Sequence, residues 1–285
     1  MITKKIEKIR RINLHLHTNV SDGALSPARL IERALQIKLD LVSITDHDTF
    51  DAYKQIDLSR YPIKYLPGME ISSIHKGSDV HILAYGYDIN DKGLKEMTEM
   101  YLVGRRDRAI RMIEALAEMG MPIKLEEVIE IAGARELIVR PHIAQVLVKR
   151  GYVKNKNEAF DKYIGNDKPA FFHKPELLVP DVLEIIHKAG GFAVTAHPGK
   201  LAQPEYLAEL IGMGIDGLEV WHPDHNQRQV AEFISIAREH GLYMTGGSDY
   251  HGEQDNHNLF DVVPVDDEVL ESVNALYKEY LCRKQ

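Results

Sequence analysis

Residues 182–198 read Val-Leu-Glu-Ile-Ile-His-Lys-Ala-Gly-Gly-Phe-Ala-Val-Thr-Ala-His-Pro, and this stretch sets the fold class. The apolar spacing over Val182–Ala189 predicts a helix facing a core. Gly190-Gly191 stops it. Gly191–Ala196 is a short apolar strand, and His197 stands at its end. The same unit recurs along the chain. A helix over Pro27–Lys38, with Ser26 as N-cap and Pro27 at the first helical position, precedes a strand over Leu39–Thr45. Glu205–Met213 precedes Gly217–Trp221, and Gln227–His240 precedes Leu242–Gly246. Arg11–Leu16, Ile63–Leu66 and Asp79–Ala84 complete seven strands. Strands alternating with helices predict parallel βα units. The expected fold is α/β, a barrel of seven strands, incomplete or distorted.

The alternation breaks between about residues 92 and 175. There the pattern is helical over Leu94–Met119, Leu125–Ile131, Pro141–Arg150 and Asn157–Tyr163. This predicts a small all-helical insertion between strands four and five. Residues 1–95 and 175–285 then form the barrel, and 96–174 the insertion. Asp266–Leu281 reads as a closing helix. Residues 101–174 carry 14 Lys+Arg against 10 Asp+Glu, inside a chain of net charge −8. A solvated helical surface explains that balance, and so does a lid that grips an anionic substrate.

Composition narrows the chemistry. Cys282 is the single cysteine, which excludes a disulfide scaffold and cysteine-based zinc sites. With 14 histidines, any metal takes nitrogen and oxygen ligands. The start, Met1-Ile2-Thr3-Lys4-Lys5, has no apolar signal region, and no stretch approaches the ~18 apolar residues of a membrane span. A cytoplasmic location without membrane contact is expected. The net negative charge argues against binding double-stranded DNA.

In parallel α/β barrels, sites form at the carboxyl ends of the strands. His15 and His17 end strand one, with Asp22 in the loop beyond. His47 follows strand two and Glu70 follows strand three; His81 lies on strand four. His197 follows strand five, His222 and His225 strand six, and Asp249 and His251 strand seven. His15 and His17 lie two residues apart, so on a strand both imidazoles point to one side. Asp46 and Asp48 fit as caps of the next helix. His75, His173, His187, His240 and His257 read as ordinary hydrogen-bonded histidines. Nine ligand-type residues on one rim are too many for one ion. Two or three ions sharing a bridging carboxylate fit better. Three divalent ions against three carboxylates leave a positive site, which suits a phosphate dianion.

Four segments resemble the motifs of the PHP (polymerase and histidinol phosphatase) family. They are Leu14-His15-Leu16-His17-Thr18, Ile44-Thr45-Asp46-His47-Asp48, Thr195-Ala196-His197-Pro198 and Gly247-Ser248-Asp249-Tyr250-His251. Pro67–Ser72, Val80–Leu83, Arg140–Ala144 and Trp221–His225 look like one subgroup. It comprises nucleoside 3′,5′-bisphosphate phosphatases, 5′-nucleotidases and 5′-to-3′ exoribonucleases. The resemblance implies a distorted (β/α)7 barrel with a helical insert and three divalent ions, Mn2+, Fe2+ or Zn2+. It implies that His15, His17, Glu70 and Asp249 hold one ion. Glu70, His81 and His197 hold a second, and Asp22, His47 and His251 the third.

The function expected is hydrolysis of a phosphoric ester by a metal-activated hydroxide. The substrates expected are nucleoside 3′,5′-bisphosphates or 5′-nucleotides. The alternatives are 5′-to-3′ digestion of short RNA, histidinol-phosphate hydrolysis, and a non-catalytic metal-binding regulatory module. His222 and His225 are candidate acids for the leaving group. Arg140, with His142 and Arg135, is the candidate grip on a second phosphate. Phe171, Phe172 and Trp221 read as core residues rather than a stacking platform. A monomer or small homo-oligomer is expected.

Overall fold

The computed structural model describes residues 8–133, 137–174, 177–253, 260–261 and 263–284. Arg135 and His257 lie outside the described residues. Nine strands are described: β1 (Ile12–Asn13), β2 (Leu41–Val42), β3 (Lys64–Tyr65), β4 (Gly68–His75), β5 (Ser78–Tyr85), β6 (Leu177–Leu178), β7 (Phe192–Thr195), β8 (Gly217–Trp221) and β9 (Tyr243–Gly246). The α-helices are α1 (Pro27–Gln36), α2 (Ala52–Gln55), α3 (Lys92–Glu118), α4 (Leu125–Ala132), α5 (Arg140–Lys149), α6 (Lys156–Ala159), α7 (Val179–Lys188), α8 (Glu205–Met213), α9 (Gln227–His240) and α10 (Asp267–Arg283).

The strands form a parallel three-stranded sheet, β1-β2-β3, and a six-stranded sheet ordered β6-β4-β5-β7-β8-β9. Isolated parallel bridges, Leu16 to Tyr250 and His47 to Glu70, connect the segments that follow β1, β2 and β9 and the start of β4. The apolar faces of α7, α8 and α9 supply Val182, Leu183, Ile186, Leu207, Leu210 and Phe233 to a core shared with Ile71, Ile82 and Leu218 of the large sheet. Pure βα alternation fails at one place. β4 and β5 are an antiparallel hairpin, and β5 pairs antiparallel with β7. Pro67-Gly68-Met69-Glu70 therefore opens a strand of eight residues rather than a loop after strand three. The hairpin turns at Lys76-Gly77, whose φ values of 49° and 77° suit a tight two-residue turn.

The helices α3 to α6 lie between β5 and β6. They form a separate apolar cluster that includes Met112, Leu116, Val128, Ile143 and Leu147. α3 serves both cores. Leu94, Met97 and Tyr101 pack on the main core, whereas Ala109 and Met112 start the second one. Residue 95 thus falls inside a continuous helix.

Gly247, directly after β9, packs closely against the strand-one segment. A Cβ there would lie 2.1 Å from His15 Cβ and 2.4 Å from His15 N. Gly247→Ala is expected to cost about 1–3 kcal/mol in urea unfolding. Gly212→Ala, in α8 with nothing within 4 Å of the new methyl, should be neutral or stabilising by up to about 1 kcal/mol.

Candidate metal centre

Glu70 sits at the start of β4 and is 1% exposed. Its Oε2 lies 3.3 Å from His15 Nε2, 3.2 Å from His17 Nε2 and 3.1 Å from His47 Nδ1. Its Oε1 lies 2.7 Å from His81 Nδ1 and 3.0 Å from His197 Nε2. Asp249 Oδ1 lies 3.3 Å from His15 Nε2 and 3.2 Å from His17 Nε2. Asp22 approaches His251 at 3.3 Å, His17 at 3.6 Å and His47 at 3.8 Å. The structure therefore brings all nine sequence-selected donors together.

Among the described residues, three groups place one donor atom per residue within 4.8 Å of one another. They are His17, Asp22, His47 and His251; His15, His17, Glu70 and Asp249; and His47, Glu70 and His81. The last group contains His47 where the family pattern implies His197. A cation fits this arrangement on a specific observation. His15 Nε2, both ring nitrogens of His17, His47 Nδ1 and Glu70 Oε2 are buried and have no hydrogen-bond partner. Orphaned buried donors and acceptors are costly, and here they converge on one another with the chemistry of metal ligands.

The titration behaviour expresses the same crowding. Burial works against charge on Glu70, Asp22, His17 and His47, and the partners override it for all but His47. Glu70 is held well below the usual carboxylate range, because His47, His81 and His15 outweigh its burial. Asp22 is likewise held low by His251 and His47 against its burial. Burial would lower His17, yet Asp249, Glu70 and Asp22 push it up to about 10. For His47 burial wins, and it falls to about 3.

Three site residues other than glycine have left-handed backbone: Asp48 (φ 53°), His197 (φ 29°) and Asp249 (φ 51°). Such a conformation persists only where surroundings enforce it. In each case the amide N–H donates to another site residue. Asp48 donates to the Glu70 carbonyl at 2.9 Å, Asp249 to the His15 carbonyl at 2.9 Å, and His197 to Glu219 Oε2 at 2.7 Å.

Glu219 is the residue that motif matching missed. It is fully buried on β8, and its Oε1 lies 2.9 Å from His15 Nδ1. Accepting the proton on Nδ1 leaves the His15 Nε2 lone pair facing Glu70 and Asp249. The available signal was an acid in the middle of the apolar strand Gly217–Trp221. Asp46 and Asp48 do not cap a helix. Asp46 accepts from the Thr18 amide and hydroxyl and from the Ser21 hydroxyl. Asp48 accepts from the Ser72 amide and from Arg105.

The expected acids are differently placed. His225 Nδ1 donates to the Val220 carbonyl at 3.0 Å and its Nε2 accepts from the Gly199 amide at 3.1 Å. His222 Nδ1 accepts from the Asp224 amide at 3.1 Å, so the Nε2 proton points at Asp249 Oδ2, 3.2 Å away. Both rings are buried, and burial lowers both pKa values. In this structure both rings are engaged beside the donor cluster, His222 against Asp249 and His225 against Val220 and Gly199.

Arg140 opens α5 and lines a cleft of about 410 Å³ with Arg108, Phe171, Lys174 and Lys200. A smaller cleft of about 140 Å³, lined by His81 and His197, shares Asp79 and Lys200 with it. The basic cleft thus adjoins the donor cluster. A larger cavity of about 790 Å³, lined by Tyr53, Tyr65 and Arg283 among others, touches none of the nine donors. Phe171 has the Arg108 and Arg140 guanidinium carbons 5.7 and 5.5 Å from its ring centre. It therefore forms part of the cleft wall, whereas Phe172 and Trp221 pack against apolar clusters. His142 does not join Arg140 in the cleft. Its Nδ1 accepts from the Val139 amide at 3.3 Å, and burial lowers its pKa to about 4, so it is a neutral cap.

Compared with known proteins, the PHP domain family matches over residues 13–163. The chain belongs to the PHP family. It is a PHP-type metal-dependent phosphoesterase, a hydrolase of phosphoric esters, with His, Asp and Glu clusters able to bind metal. This PHP chain is 29% identical to the 5′-3′ exoribonuclease Rnm of Escherichia coli over 248 residues, 84% of each chain. It is 32% identical to the 3′,5′-nucleoside bisphosphate phosphatase of Chromobacterium violaceum over 265 residues, 89% of this chain and 93% of that one. A solved structure from Bifidobacterium adolescentis, proposed to be a metal-dependent phosphoesterase, matches with a TM-score of 0.84 and 32% identity, over 95% of this chain and 96% of that one. None of the described helices is long and apolar enough to cross a membrane.

Glu219→Gln keeps one acceptor but presents an amide N–H to either His15 or the His197 amide. Metal affinity, measured by competition with a chromophoric chelator, should fall about 10–100-fold while the far-ultraviolet circular dichroism stays unchanged. Wild-type affinity would show that Glu219 does not orient these ligands.

Proposed function

We propose that this PHP chain removes a phosphate from nucleoside 3′,5′-bisphosphates or 5′-nucleotides. The observation that carries the reading is the junction of the nine-donor cluster with the cleft lined by Arg108, Arg140, Lys174 and Lys200. One phosphate can sit at the donors while cations beside it hold a second anionic group. The named activity of the Chromobacterium violaceum relative supports the same reading.

The nine donors are proposed to hold three divalent ions, of manganese, iron or zinc. His15, His17, Glu70 and Asp249 would hold one, His17, Asp22, His47 and His251 another, and Glu70 and His81 a third with His47 or His197. When bound, such ions polarise phosphoryl oxygens and lower the pKa of a water at the site toward neutrality. The chain's own groups do the rest. Glu219 keeps the His15 proton on Nδ1. His222 holds its proton on Nε2 toward Asp249 and fixes that carboxylate. Arg140, whose Nη1 donates to Asn166 Oδ1 at 2.7 Å, is braced to present the rest of its fork to the cleft.

We read the two bridged sheets as the distorted (β/α)7 barrel and residues 96–174 as the substrate lid. We place the protein in the cytoplasm, as a monomer or small homo-oligomer acting on small phosphorylated substrates. A second reading is 5′-to-3′ trimming of short RNA. Phe171, flanked by Arg108 and Arg140, favours it, because single-stranded bases stack on such surfaces. The named activity of the Escherichia coli relative supports it as well.

The test is phosphate or nucleotide release by the manganese-loaded protein from adenosine 3′,5′-bisphosphate, adenosine 5′-monophosphate, histidinol phosphate and a 5′-phosphorylated RNA dinucleotide. Preference for the bisphosphate is expected. Arg140→Ala should raise KM for the bisphosphate about 10–100-fold, the range of one charged hydrogen-bonding group, and leave the monophosphate nearly unchanged. Equal losses on both would contradict a selective grip, and preference for histidinol phosphate would overturn the substrate class.

A further inference from the structure

One turn of α3, inside the insertion, reaches the framework of the donor cluster. Tyr101 and Arg105 are four residues apart on that helix, and both are buried. The Tyr101 hydroxyl donates to the Ser72 carbonyl. Arg105 donates through Nε to Asp48 Oδ2 at 3.0 Å and through Nη2 to the same oxygen and, at 3.2 Å, to Ser72 Oγ. The other oxygen of Asp48 accepts from the Ser72 amide at 2.6 Å. Asp48 directly follows His47, and Ser72 lies two residues beyond Glu70. The Asp48 amide closes the loop by donating to the Glu70 carbonyl. One carboxylate thus ties α3, β4 and the His47 segment together, in a left-handed backbone that needs support (φ 53°).

We propose that Arg105, acting through Asp48, is a positioning residue that sets His47 against Glu70, so that docking of α3 completes the donor groups containing His47. Two of the three groups contain His47; the group of His15, His17, Glu70 and Asp249 does not. The proposal rests on the reading of these groups as metal sites. It makes the insertion a structural partner of the centre as well as a wall of the cleft. Loss of stability alone does not test it, because removing one partner of any buried ion pair strands a charge. Selectivity among sites does.

The experiment is a Zn2+ titration of the metal-stripped full chain against a chromophoric chelator. Arg105→Met is expected to weaken the His47-containing sites at least about tenfold and leave one site at wild-type affinity. Arg105→Lys, which restores a cation without the planar fork, should recover part of the loss. If Arg105→Met does not fold, the Asp48→Asn/Arg105→Met double variant decides, since it leaves no lone buried charge and should show the same selective weakening. Wild-type affinities throughout, or equal weakening of every site in a folded variant, overturn the proposal. A wild-type chain that takes up no Zn2+ overturns the metal reading itself, and the proposal with it.

Discussion

Burying the Glu70 carboxylate is the constraint around which the centre is arranged. An ionised carboxylate out of water is costly unless it is paired. Here five imidazoles lie within 3.3 Å of its two oxygens. Buried negative charge, with orphaned ring nitrogens around it, creates an environment in which cations are favoured. The proposed ions would take the place that the imidazoles fill only in part.

That requirement explains the local backbone. Donors reach Glu70 from the segments after β1, β2 and β7 and from β5, and small errors in any of them would open the cluster. Three positions give up ordinary backbone conformation to make the approach, and each is pinned by its own amide to a carbonyl or carboxylate of the centre. Gly247 belongs to the same logic, because His15 occupies the space a side chain would need. Short backbone ties therefore hold the geometry, together with the buried side chains of Glu219 and of the Asp48–Arg105 pair.

Much of this was legible in the sequence, and the misses have physical causes. The helices Glu205–Met213 and Gln227–His240 match their expected bounds because caps and apolar spacing coincide there. β4 was missed because its two faces are both buried, so Gly68-Met69-Glu70-Ile71-Ser72-Ser73-Ile74-His75 shows no clean alternation. The donors were legible because histidine and carboxylate at strand ends have a recognisable chemistry. Their supports were not. Glu219, Asp46 and the Asp48–Arg105 pair act through partners distant in sequence, and only the fold brings them together. The backbone groups that hydrogen-bond His222 and His225 are equally invisible in composition.

The cleft beside the donors gives the family's phosphoester chemistry a direction. Its cations and the ring of Phe171 suit a nucleotide with more than one anionic group, and the insertion supplies most of that wall. The central claim, that Glu70 joins the donors into one multinuclear centre, is tested most directly by the metal content of Glu70→Gln. Both proteins would be loaded with manganese, passed through a desalting column and analysed by elemental mass spectrometry. The account predicts close to three ions per wild-type chain, and in Glu70→Gln only the ion of the group formed by His17, Asp22, His47 and His251, which lacks Glu70. A folded Glu70→Gln variant that retains the full complement would contradict it.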